Sequence, residues 1–108
     1  FTPIFEGIER EVDIGLLYDP KRKQEKAFCQ LFQRALKNKL PKEYRIKLNR
    51  PYQGKADGFT TYLRKCFHEE QYLGIEIEVN QKFASLSHII KELTKALEFS
   101  IRISLEGL

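Results

Sequence analysis

The chain has 108 residues, 42% hydrophobic and 31% charged, which suits one globular domain. No segment nears the ~20 apolar residues of a membrane helix, and no basic stretch followed by an apolar run marks a signal peptide, so no membrane partner is expected. The net charge of +4 comes from Lys and Arg spread among 15 acids. That reads as a solvated face with some attraction for a small anion, rather than as a nucleic-acid stripe.

Residues 1–11 read as irregular lead-in chain. The run Val12-Asp13-Ile14-Gly15-Leu16-Leu17-Tyr18 is short and β-rich, and Asp19-Pro20 closes it. A helix follows from about Gln24 to Lys39, with Ala27, Phe28, Leu31, Phe32, Ala35 and Leu36 at helical spacing and Pro41 as its stop. Tyr44 to Asn49 alternates as a second strand, with Tyr44, Ile46 and Leu48 on one face and Arg45 and Lys47 on the other. Arg50-Pro51-Tyr52-Gln53-Gly54 is a loop. Asp57 is placed to cap a short helix carrying Phe59, Tyr62, Leu63, Cys66 and Phe67. Leu73 to Val79 alternates again, with Ile75, Ile77 and Val79 opposite Glu76 and Glu78. A last helix runs from about Ser85 or Ser87 to about Ile103, burying Leu86, Ile89, Ile90, Leu93 and Leu97.

This β-α-β-α-β-α order predicts an α/β fold with one domain over residues 1–108. Three strands make a thin sheet, so further strands are expected upstream. The chain contains no Met and begins with Phe1, a large residue that does not follow a removed initiator Met efficiently. Both features lead us to expect the C-terminal part of a larger α/β domain.

Sites in open α/β sheets gather at the carboxyl ends of strands. Those ends read as Tyr18-Asp19, Asn49-Arg50-Pro51-Tyr52 and Glu78-Asn80-Gln81. Glu76 and Glu78 share a face of a strand that looks internal. Carboxylates there are either paired, in a cross-strand ladder with Arg45 and Lys47, or functional. Cys29 and Cys66 fall in helices with no CxxC partner and read as free thiols of a reducing, cytoplasmic setting. His68 and His88 lack the spacing of a metal site. No GxGxxG, Walker or GxSxG motif occurs. The Phe and Tyr residues mostly read as core, which again argues against nucleic acid as a partner.

Four segments, Phe1-Thr2-Pro3, Arg10 with Asp13-Ile14-Gly15-Leu16-Leu17-Tyr18-Asp19, Asn49-Arg50-Pro51-Tyr52-Gln53-Gly54, and Gly74-Ile75-Glu76-Ile77-Glu78-Val79-Asn80-Gln81, resemble the N-formylglutamate amidohydrolase family in order and approximate spacing. The resemblance covers about residues 1–83. It implies a partial three-layer, zinc carboxypeptidase-like sheet with flanking helices, and a zinc-dependent amidohydrolase acting on a small anionic N-formyl or N-acyl amino acid. In the family a zinc-ligating His and a Ser precede the segment matching Phe1-Thr2-Pro3, and the other ligands lie further upstream. The resemblance therefore implies zinc in the full-length protein, no metal ligand within these residues, and no activity of this piece alone. It implies Glu78 as the general base, with Glu76 as fallback or support. Asn49, Arg50 and Tyr52, and more weakly Arg10, would orient the substrate carboxylate or carbonyl. The family's Arg next to the base is Asn80 here, which leaves a non-catalytic binding module on the same fold as the alternative.

Overall fold

The computed structural model describes residues 1–83 and 87–107, the side chains of 88 and 89 apart. The expectations for Ser85 as a cap, Leu86 and Ile89 as core, and the His88 side chain lie outside the described residues.

Residues 1–11 are not irregular. Ile4–Phe5 (β1) and Ile8–Glu9 (β2) pair antiparallel in a hairpin. Glu6 and Gly7 make its two-residue turn at φ 51° and 78°. Two positive-φ residues give the turn twist that matches paired strands.

The three expected strands form, each shorter than its apolar run. They are Ile14–Leu17 (β3), Ile46–Leu48 (β4) and Glu76–Val79 (β5). Between the first two runs the helix Lys23–Lys39 (α1), ended just before Pro41, serves as the crossover that parallel neighbours require. Asp57 caps Gly58–Cys66 (α2), accepting from the Thr60 N–H at 2.7 Å as expected. Ser87–Glu106 (α3) closes the chain, one turn longer than expected.

The strand order is β4-β3-β5, with β4 parallel to β3 and β5 antiparallel to it. The central strand is therefore β3, buried along its whole length, and β5 is an edge of this sheet rather than an internal strand. One sheet face carries Ile14, Leu16 and Ile46 against Phe28, Phe32 and Leu36 of α1 and Leu93 and Ala96 of α3. Along α3 the buried line is Leu93, Ala96, Ser100 and Ser104, while Ile90 is exposed. Small residues at that spacing let α1 and α3 approach closely. Among the described residues the result is an α/β unit of a mixed three-stranded sheet, an N-terminal hairpin and three α-helices. No helix among the described residues is long and apolar enough to cross a membrane.

Candidate active site

Strand direction decides which residues meet. Because β3 and β4 run parallel, Tyr18 and Asn49 emerge at the same end of the sheet. Because β5 runs the other way, Asn80 and Gln81 lie at the opposite end, beside Asp13. The three strand ends expected to converge therefore split into two groups.

At the first end the loop after β4 folds back over the sheet. Asn49, at φ 52°, turns its side chain into a brace, its Oδ1 accepting from the N–H of Tyr18 and of Gly54, both at 3.0 Å. The Arg50 carbonyl then lies on Gly15, where a Cβ would come within 1.9 Å of that oxygen. A Cβ on Gly54 would come within 2.2 Å of the Tyr18 nitrogen. These two glycines let the loop seal this face of β3. Arg50, joined to Pro51 by a cis peptide bond, is exposed, and Tyr52 is 45% exposed.

The same face carries both carboxylates. Glu78 pairs with Gly15 and Glu76 with Leu17, and pairing residues share a face. The alternative of a ladder with Arg45 and Lys47 does not exist, because β3 separates β4 from β5. Arg45 instead bonds Asp13, which also pairs with Lys82. Neither Glu76 nor Glu78 has an ion-pair partner among the described residues. Burial raises the Glu76 pKa above its ordinary 4.5, and the charges of Asp57 and Glu78 add to the rise. Its Oε1 is buried without a hydrogen-bond partner. Half-buried, unneutralised carboxylates of this kind are suited to proton transfer.

At the second end, Asn80 is 1% exposed and its amide is occupied. Nδ2 donates to the Val12 carbonyl at 3.1 Å, and Oδ1 accepts from the Lys82 N–H at 3.0 Å. Beside it the Phe1 ammonium donates to the Val79 carbonyl at 2.9 Å, and the Gln81 N–H donates to the Phe1 carbonyl at 2.7 Å. This is the hydrogen-bond pattern of a parallel bridge between Phe1 and Asn80, on the outer edge of β5. Arg10 lies over the rings of Phe5, Tyr52 and Phe1. The structure thus sets Arg10 beside the ring of Tyr52 and lays the Arg50 carbonyl on the face that carries Glu78, with Glu76 two residues along it, and uses Asn49 and Asn80 as internal braces.

Two residues escaped the sequence reading. Glu25 is fully buried, and Arg64 is 8% exposed. Glu25 accepts from Arg64 Nε, from the Gly74 N–H at 2.9 Å and from the Asp19 N–H at 3.0 Å. Arg64 also donates to the Gly74 carbonyl at 2.7 Å. The pair thereby ties the end of β3, α1 and α2 to the segment leading into β5. Its signal was positional: Glu25 is in register with Phe28, Phe32 and Leu36 on the apolar stripe of α1.

Among the described residues no group of three or more His, Cys, Asp and Glu could hold a metal ion. Burial, then the nearby Glu25 charge, pushes the Cys29 thiol up to about 12, which leaves it inert. Contrary to the expected core placement, Phe59, Tyr62 and Phe67 are exposed.

No family model matches the chain, and no curated protein matches it. Among solved structures, the crystal structure of gene product Atu2144 from Agrobacterium tumefaciens is similar over 98% of this chain, with 24% identity and a TM-score of 0.59. The chain spans 38% of that protein's length. At this identity the likeness establishes the fold and nothing finer.

Proposed function

We infer that this chain carries the general-base side of a zinc-dependent amidohydrolase of the N-formylglutamate amidohydrolase type, on a zinc carboxypeptidase-like sheet, with its metal ligands supplied by residues joined ahead of Phe1. The single observation that carries this reading is the parallel bridge between Phe1 and Asn80. Paired parallel strands advance residue by residue, and alternate residues return to the same face. Chain continuing this pairing ahead of Phe1 would run along the free edge of β5. The second residue ahead of Phe1 would then stand opposite Glu78 on the same face. In the resembled family that position is the zinc-ligating His.

Within the chain, Glu78 fits the role of base, beside an open edge and without a cationic partner, and the described residues do not supply a ligand set. Bound zinc would supply Lewis acidity to water and to the scissile carbonyl. Glu78 takes the proton from the attacking water and returns it to the leaving amine. Glu76 keeps negative charge close by and supports Glu78. Arg50, Tyr52 and Arg10 orient a small anionic N-acyl amino acid in a cytoplasmic enzyme.

One observation favours a second reading. The family's Arg beside the base is Asn80 here, and its amide is committed internally. A non-catalytic binding module would lose that cation without penalty. Zinc content and hydrolysis of N-formylglutamate, measured on the protein carrying its upstream residues, separate the two. Stoichiometric zinc with turnover supports the enzyme. Absence of both leaves the module.

A further inference from the structure

The pairing of β5 with β3 has a register that the residues of β5 do not choose by themselves. Ile75-Glu76-Ile77-Glu78 repeats every two residues, so a slip of two keeps isoleucine on the helix-covered face and glutamate on the other. Such a slip puts Glu76 opposite Gly15, where the structure has Glu78. The register is therefore held from outside the strand's own pattern.

At one end the holder is a buried charge. Gly15 pairs with Glu78 and Leu17 with Glu76, and two residues further the same register sets Asp19 opposite Gly74. The Asn80 N–H donates to the Asp13 carbonyl at 2.9 Å, so by alternation these are the positions at which antiparallel neighbours exchange hydrogen bonds. Between Asp19 and Gly74 the Glu25 carboxylate takes over the ladder. Its Oε1 accepts from the Asp19 N–H at 3.0 Å and its Oε2 from the Gly74 N–H at 2.9 Å. One carboxylate spans both N–H groups only when Gly74 stands opposite Asp19.

Arg64 aims that carboxylate. Its Nε lies 2.9 Å and 3.1 Å from the two Glu25 oxygens, its Nη2 donates to the Gly74 carbonyl at 2.7 Å and its Nη1 to the Thr60 hydroxyl at 3.4 Å. Both polar groups of the buried Gly74 backbone are thus taken by one ion pair. The grip needs a glycine, because a Cβ at position 74 would come within 3.0 Å of Arg64 Nη2. The Arg64 charge also reaches Glu76, where it works against the rise of that carboxyl's pKa.

We propose that Glu25 and Arg64 are positioning residues that set the register of β5, so that Glu78, and not Glu76, stands opposite Gly15. What Glu78 does there rests on the amidohydrolase reading; the setting of the register does not. An apolar pair could fill the same space, but it would leave the Gly74 N–H and carbonyl without partners and so free that end of the strand to move.

The test is amide hydrogen exchange, together with steady-state hydrolysis of N-formylglutamate, in the protein carrying its upstream residues. The double variant Glu25→Leu with Arg64→Met removes both charges, so neither is stranded. Exchange at the Glu76 and Glu78 amides is expected to be at least about tenfold faster, with the α1 amides as slow as in wild type, because a local opening leaves the rest of the fold protected. The kcat is expected to fall about tenfold with KM unchanged, because the buried pair touches no substrate. Gly74→Ala keeps both charges and pushes Arg64 aside; it is expected to act in the same direction more weakly, and it decides the matter if the double variant does not fold. Exchange at Glu76 and Glu78 that changes no more than exchange in α1 would overturn the proposal, since a pair that only stabilises the fold acts on both alike. An unchanged kcat in an active protein would overturn it as well. The two readings fail separately. Faster exchange in the variants without hydrolysis by wild type refutes the enzyme and spares the register role. Hydrolysis with unchanged exchange does the reverse.

Discussion

Arg64 grips Glu25 from a second helix, with Nε 2.9 Å and 3.1 Å from the two carboxylate oxygens and both side chains shielded from solvent. A buried pair of this kind adds little net stability over an apolar pair, but removing one partner strands the other charge. Arg64→Met is therefore expected to lower unfolding free energy by about 3–5 kcal/mol. Arg64→Lys keeps the charge and loses the fork, and is expected to fall between Met and wild type. Urea unfolding with an unchanged slope measures both.

The covering loop depends on Gly15. Gly15→Ala would force a methyl group against the Arg50 carbonyl, which is backbone and cannot swing aside. The expected loss is about 3 kcal/mol, the upper part of the usual overpacking range. Gly58→Ala is the control, because a Cβ there meets nothing within 4 Å. It lies in the first turn of α2 and is expected to be neutral or to stabilise by up to about 1 kcal/mol.

Two carboxylates set opposing pH dependences. Burial alone would raise Asp13, but hydrogen bonds from Arg45 and Lys82 outweigh it and hold the pKa below 3.8. Its contribution is complete above pH 3.8 and lost as pH falls through the lowered value. Glu76 is shifted upward, so stability falls as pH rises from 4.5 through the raised value, and the full cost of its ionised form is present above it. Glu76→Gln is thus expected to unfold at higher temperature than wild type near neutral pH. That difference should vanish below pH 4.5, where Glu76 is protonated in both states. Melting temperatures across pH 3–8 give both signs.

The sequence reveals α1, β3 and the Asp57 cap, because each rests on local rules: periodicity, a turn signal and a side-chain acceptor three residues before its donor. The direction of β5 is not local. Nothing in Leu73 to Val79 distinguishes a parallel from an antiparallel neighbour, so the Glu76 and Glu78 ladder with β4 was a reasonable expectation that the strand order removes. The α2 face was misread for a physical reason. Its aromatic residues Phe59 and Tyr62 point outward, while Thr60 and Arg64 turn inward, where Arg64 donates to Glu25 and to the Thr60 hydroxyl. Hydrophobic patterning does not foresee a helix oriented by a buried charge. Arg10, Arg50 and Tyr52 were legible as candidates. The internal commitments of Asn49 and Asn80 were not, because a brace and a ligand-binding amide look alike in sequence.

The central claim is that Glu78 is the base of a zinc amidohydrolase. Its most direct test compares Glu78→Gln with Glu76→Gln in the protein carrying its upstream residues, measuring zinc content and hydrolysis of N-formylglutamate. The account predicts full zinc in both variants, a loss of about 10²–10⁴-fold in kcat for Glu78→Gln, and a much smaller loss for Glu76→Gln. Full activity in Glu78→Gln, or loss of activity in Glu76→Gln alone, would contradict it.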